Sequence, residues 1–72
     1  MRIERLVTMA NDIGAFFESQ PDKVEAAKGV ALHLRRFWDP RMRRQIVGHY
    51  RDGGLGLRDV TRSGIGLLAD EN

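Results

Sequence analysis

The chain has 72 residues, no cysteine and a formal net charge of +2. A chain of this length forms one domain, and without cysteine neither disulfides nor thiolate metal sites can stabilise it. Its apolar stretches are far shorter than the roughly 20 residues that cross a membrane, and Glu4, Arg5, Asn11 and Asp12 interrupt the first of them. We therefore predict a single soluble domain over residues 1–72, located in the cytoplasm.

The first predicted helix covers residues 2–19. Apolar residues recur from Ile3 to Phe17 at spacings of three and four, which is typical of a helix with one buried face. Gly14 interrupts this pattern and indicates that another helix approaches closely there. Because Phe16 and Phe17 are adjacent, we expect one ring in the core and the other facing a partner.

A second helix is predicted over residues 21–37. Pro21 suits the first helical position, and the carboxylate of Asp22 complements the positive end of the helix dipole. Small residues between 26 and 31 allow another helix to pack closely against this one. The short link after the first helix favours an antiparallel pair.

Asp39 and Pro40 predict the start of a third helix over residues 40–51. The Asp carboxylate can accept the unpaired N–H groups of the first turn, and Pro at the first position has no N–H to lose. Residues 59–68 are compatible with a short fourth helix, which Gly64 and Gly66 weaken. No strand pattern is present, so the predicted fold class is all-α, a small bundle of three helices with a short C-terminal fourth helix.

The corner between the second and third helices concentrates the positive charge. Residues 33–51 carry six arginines against one acid, and the only tryptophan of the chain lies there. Since tryptophan and arginine are favoured anchors of protein interfaces, we predict a partner-binding site at this corner. Its residues are Arg35, Arg36, Phe37, Trp38, Asp39, Pro40, Arg41 and Arg44. The two aromatic residues would be the anchors, the arginines would pair with carboxylates of the partner, and the Asp-Pro step would fix the corner.

Three other interpretations of this corner stay open. The first is a nucleic-acid-binding protein with residues 40–50 as recognition helix, although Gln45 is the only amide side chain there that could read bases. The second places Trp38 in the core and leaves the arginines solvated. The third is a homo-oligomer in which the surface from Phe17 to Trp38 is self-complementary.

No catalytic or metal-binding set stands out in the sequence. His33 and His49 fall on different helices, and a metal ion would need Asp39 or Asp52 as a further ligand. The hydroxyl residues are not in motifs that activate a nucleophile; they include Thr8, Ser19, Thr61 and Ser63. The glycine-rich segment 53–56 lacks the strand and the Lys-Ser/Thr pair of a phosphate-binding loop. We therefore predict no catalytic, cofactor or metal site in this chain.

Three segments resemble a known family. LVTMANDIGAFF, HLRRFWDPRMRRQI and GGLGL occur in the order and at the spacing seen in the delta subunit of NAD-dependent, molybdenum-containing formate dehydrogenases. The resemblance covers residues 5–58, and FWDPRMR is its most specific part. The tail from Arg58 is less similar, since the family has a steadier Leu/Ala helix there than one that holds Gly64 and Gly66.

The resemblance implies a non-catalytic accessory subunit of a soluble cytoplasmic complex. Such a subunit would dock on the catalytic alpha subunit and through it reach the beta and gamma subunits. The family implies that the alpha subunit holds bis-molybdopterin guanine dinucleotide and iron–sulfur clusters, and that FMN and further clusters lie in other subunits. This chain would hold no cofactor, and it would support assembly, cofactor maturation or stability of the enzyme.

Overall fold

A computed structural model describes residues 1–71 of the chain. It contains four α-helices: α1 (Ile3–Phe17), α2 (Lys23–Phe37), α3 (Pro40–Arg51) and α4 (Asp59–Asp70). No strand occurs in the described residues, which confirms the predicted all-α class. None of the helices in this part of the chain is long and apolar enough to span a membrane.

The start of α2 differs from the prediction. The carboxylate of Asp22 accepts hydrogen bonds from the backbone N–H groups of Val24, at 2.9 Å, and Glu25, at 3.3 Å. Asp22 is thus the N-cap, and Pro21 lies before the helix instead of at its first position. The cause is local, because an Asp side chain satisfies the unpaired N–H groups of the first turn only from the capping position.

The centre of the bundle is formed by α1 and α4, and each of them packs against all three other helices. On either side of this pair lie α2 and α3, which are joined by the corner at residues 38 and 39. The buried core cluster draws on all four helices and both connections after α2; it comprises Leu6, Ala10, Val30, Leu34, Trp38, Ile46, Val47, Leu57, Ile65, Leu68 and Ala69.

Glycines allow α4 to pack closely against its neighbours. A Cβ atom at Gly64 would lie 2.5 Å from the side chain of Val30 and 3.0 Å from the carbonyl oxygen of Ala27, both on α2. A Cβ atom at Gly14 would lie 2.1 Å from the hydroxyl oxygen of Thr61. The glycines of α1 and α4 therefore stabilise the bundle through close packing, although each weakens its own helix.

The connection between α3 and α4 begins with a Schellman motif. Gly53 has a φ of 113°, its N–H bonds the carbonyl of Tyr50 at 3.1 Å, and the N–H of Gly54 bonds the carbonyl of His49 at 2.9 Å. The side chain of Asn11 then fixes the connection to α1, because it donates to the carbonyl of Gly56 and accepts from the N–H of residue 58, both at 2.9 Å. This bend directs α4 back across the bundle.

Candidate docking surface at the α2–α3 corner

The corner is a turn of two residues between α2 and α3. Trp38 and Asp39 have extended backbones, with ψ angles of 139° and 164°, so the helix cannot continue through them. The Asp39 carboxylate accepts a hydrogen bond from the N–H of Met42 at 2.9 Å, and Pro40 occupies the first turn of α3. The start of α3 is therefore where the sequence predicts it, and the structure shows the predicted cause, a capping Asp39 followed by a proline in the first turn.

Replacement of Asp39 by Ala is expected to destabilise the chain by about 1 kcal/mol, because the N-cap hydrogen bond of α3 is lost. Asp39→Asn is the matched control, since Asn caps as well as Asp and should leave stability almost unchanged. Urea denaturation followed by circular dichroism measures both variants. Equal stability of Asp39→Ala and the unaltered chain would contradict the capping role.

The two aromatic residues of the corner have opposite environments. Trp38 is only 5% exposed and belongs to the core cluster, whereas Phe37 is 71% exposed. The ring of Phe37 lies against the imidazole of His33, with 4.7 Å between the ring centroids. In the free chain Phe37 is therefore the exposed aromatic residue of the corner, and Trp38 is part of the core. Its position four residues after the buried Leu34 continues the inward face of α2 and directs its side chain into the core.

Arg43 was not among the predicted site residues, and it holds the corner together. Its guanidinium donates to the carbonyl oxygen of Arg35, at 3.1 Å, and to that of Trp38. These carbonyls belong to the last turn of α2 and to the residue that caps it, so Arg43 satisfies backbone groups that the helix end leaves without a partner. An arginine in the first turn of α3, so soon after a helix end, is the sequence signal for this role.

A cleft of about 600 Å³ lies where the end of α2, the face of α3 and the end of α4 meet. We call it the arginine cleft; it is lined by Arg35, Pro40, Arg43, Arg44, Val47, Arg51, Leu68 and Glu71. Among the predicted corner arginines, Arg36 and Arg41 are exposed outside this lining. The structure thus divides the predicted arginine cluster between the cleft and the outer surface.

Glu71 binds Arg35 inside the arginine cleft. The Nε of Arg35 donates to one carboxylate oxygen of Glu71 at 3.0 Å, and a terminal nitrogen of the same guanidinium bonds the other oxygen. The hydrogen bonds from Arg35 to Glu71 raise the pKa of Arg35. Glu71 lies 36 residues from Arg35 in the sequence, and for this reason the pattern around the corner gave no indication of the pair.

The two adjacent phenylalanines at the end of α1 also differ in environment. Phe17 packs against the core and covers Gly29 of α2, where a Cβ atom would lie 2.5 Å from the ring. Phe16 is exposed, and its ring meets that of Phe17 edge to face with 5.1 Å between the centroids. One ring therefore contributes to the core, as expected, and the other is exposed; that it faces a partner stays a prediction.

The side chains that the sequence offers as candidates for metal binding or catalysis lie against other parts of the fold. Within residues 1–71, no three His, Cys, Asp or Glu side chains come together as a metal site would require. The Nε2 atom of His49 lies 2.8 Å from the carbonyl oxygen of Leu55, and His33 lies against Phe37. The Thr61 hydroxyl is buried, and within the described part of the chain it has no hydrogen-bond partner. What the corner offers chemically is an exposed aromatic ring, Phe37, on a turn flanked in sequence by the exposed Arg36 and Arg41.

The sequence matches one protein-family model, the NADH-dependent formate dehydrogenase delta subunit FdsD, over residues 5–65. The match includes the α2–α3 corner and extends into α4, beyond the segment 5–58 that showed the resemblance. No curated protein and no solved structure matches the chain. Because the match spans most of the sequence, the chain belongs to the FdsD family of NADH-dependent formate dehydrogenase delta subunits.

Proposed function

We propose that this delta subunit is a non-catalytic accessory subunit that docks on the catalytic alpha subunit of the formate dehydrogenase. Membership of the FdsD family supports a role within that complex. The observation that supports docking at the α2–α3 corner is the exposure of Phe37, at 71%, on a fixed turn that carries several arginines. A large exposed aromatic ring among arginines is the composition that protein interfaces favour.

In the proposed complex, Phe37 is the apolar anchor. Full burial of a phenylalanine side chain is worth about 1.5–3 kcal/mol, and this ring is mostly exposed in the free chain. Arg36 and Arg41 are exposed on either side of the turn and would pair with carboxylates of the alpha subunit. Asp39 and Pro40 fix the turn, so little conformational freedom is lost on binding.

The proposed benefit to the enzyme is assembly, cofactor maturation or stability of the alpha subunit. A protein that binds only the folded form of a partner stabilises that form by mass action. In this proposal the bis-molybdopterin guanine dinucleotide, the iron–sulfur clusters and the FMN all lie in other subunits of a cytoplasmic complex. The delta subunit supplies binding surface and no cofactor ligands.

The alternative of a nucleic-acid-binding protein has weaker support. Arg43 and Arg51 on α3 donate to carbonyl oxygens of the chain itself, with 3.4 Å between Arg51 and the carbonyl of Ala69. These hydrogen bonds occupy guanidinium groups that would otherwise be available to bind the phosphates of a nucleic acid. Retention of the chain on duplex DNA that falls steeply with salt concentration would favour this alternative.

Phe37→Ala is expected to weaken binding to the alpha subunit by about 2 kcal/mol, which is a factor of about 30, because the central anchor is removed. The measurement is the affinity of purified delta subunit for the purified alpha subunit. Leu55→Ala is the matched control, since Leu55 is 86% exposed on the α3–α4 connection and away from the corner. Both variants should keep the helical circular dichroism of the unaltered chain.

Two outcomes would contradict the proposal in different ways. If the two variants bind equally well, the alpha subunit does not use Phe37. If the unaltered chain does not bind the alpha subunit at all, the docking function itself is wrong.

A further inference from the structure

The arginine cleft carries a concentrated positive charge on one side of the bundle. Arg35, Arg43, Arg44 and Arg51 contribute to its lining, and Glu71 is the one acidic residue among the lining residues that the structure describes. Two of these arginines, Arg43 and Arg51, also donate to backbone carbonyls, which holds their guanidinium groups in place. The cleft is thus a preformed cationic site that is only partly neutralised by the chain.

Glu71 shows which kind of anion the cleft accepts. Its carboxylate binds Arg35 through both oxygens, in the paired geometry that favours arginine over lysine. The two side chains are 44% and 43% exposed, so water reaches the pair. Ion pairs with such exposure add little to stability, and another carboxylate can therefore replace Glu71 with little loss to the fold.

The rest of the lining favours a peptide over a phosphate group. Pro40 is exposed between the arginines and supplies apolar surface, with the mostly buried Val47 and Leu68 beneath it, and a small inorganic anion would leave this surface uncovered. The Asp39 carboxylate already caps the N-terminus of α3, so the backbone N–H of Met42 is not available to a phosphate. An acidic side chain next to an apolar side chain matches both parts of this surface.

From these features we infer that the arginine cleft binds an acidic segment of the alpha subunit, with glutamate or aspartate carboxylates beside an apolar side chain, and that Glu71 occupies part of the cleft until docking. This inference rests on the proposed function and adds a second contact to the exposed Phe37. Docking then includes an exchange of carboxylates at Arg35. Arg44, which is exposed in the lining, binds a further carboxylate of the segment.

The test compares affinities for the purified alpha subunit among four forms of the chain. Arg44→Ala is expected to bind about tenfold more weakly, because a charge-assisted hydrogen bond is lost. Glu71→Gln is expected to bind about two- to fivefold more tightly, because the competing carboxylate is gone. Arg5→Ala is the control for net charge, since Arg5 is an exposed arginine of α1 that does not line the cleft, and its affinity should change less than twofold.

If Arg44→Ala and Arg5→Ala weaken binding equally, or if Glu71→Gln weakens it, the inference is overturned while docking itself stands. If no form binds the alpha subunit, the proposed function fails, and the cleft is tested with a short blocked peptide of glutamates and a leucine. Shifts of the Arg35 and Arg44 side-chain N–H resonances with this peptide support the cleft, and their absence overturns it. Equal shifts with inorganic phosphate show a general anion site and overturn the assignment to a peptide.

Discussion

Gly64→Ala is expected to destabilise the delta subunit by about 3 kcal/mol, at the upper end of what overpacking a core usually costs. The added methyl group would lie 2.5 Å from the side chain of Val30 and 3.0 Å from the backbone carbonyl oxygen of Ala27. The carbonyl is part of the hydrogen-bonded ladder of α2 and cannot move alone, so the two helices must separate. Urea denaturation followed by circular dichroism measures the loss.

The matched control for this prediction is Gly48→Ala. Gly48 is an exposed residue inside α3, and apart from its chain neighbours and the adjacent backbone of α3 no described atom lies within 4 Å of the Cβ that alanine would add. This variant should be more stable than the unaltered chain by up to about 1 kcal/mol, the difference in helix propensity between alanine and glycine. If Gly64→Ala stabilises the chain as Gly48→Ala does, the packing at Gly64 does not set the distance between α2 and α4.

A loss of this size matters because the domain is small. Folded proteins gain about 0.05–0.15 kcal/mol per residue, so 72 residues give only several kcal/mol in total. With no cysteine in the chain, packing between helices supplies most of this stability. A glycine at the contact of α2 with α4 is therefore among the most sensitive positions of the fold.

The helices were predictable from the sequence for local reasons. The Asp39-Pro40 step sets the start of α3, and periodic apolar residues set the inner faces of α1 and α2. The sequence pattern understated α4, because the local cost of Gly64 is visible in the sequence and its tertiary benefit is not. Whether a glycine destabilises its helix or allows close packing against another depends on which helix lies opposite.

The candidate site was predictable in part, because the position of a residue along α2 determines the direction in which its side chain points. Phe37 and Trp38 are neighbours in sequence, so their side chains point in directions about 100° apart, or more where the helix ends. The four-residue steps from Val30 to Leu34 and on to Trp38 carry enough information to place the tryptophan inside. The pair of Arg35 with Glu71 and the contact of Arg51 with Ala69 depend on how α4 docks, and no local pattern contains that information.

Trp38→Ala is expected to destabilise the free subunit by about 3–5 kcal/mol, the usual range for removal of a buried aromatic side chain. The side chain is 5% exposed and packs in the core cluster that also holds Leu34 and Ile46, so its loss leaves a cavity. Thermal denaturation followed by circular dichroism measures the effect on the free chain. Phe37→Ala, at the adjacent position, should leave the midpoint almost unchanged because its ring is largely exposed.

The two variants therefore separate folding from docking. Both variants are expected to bind the alpha subunit less well. Trp38→Ala does so because fewer of its molecules are folded. An excess of alpha subunit should therefore restore the helical signal of Trp38→Ala by mass action. Phe37→Ala stays folded throughout and binds with a lower intrinsic affinity. A Trp38→Ala chain that is as stable as the unaltered one and yet fails to bind would place Trp38 in the interface and contradict its role in the core.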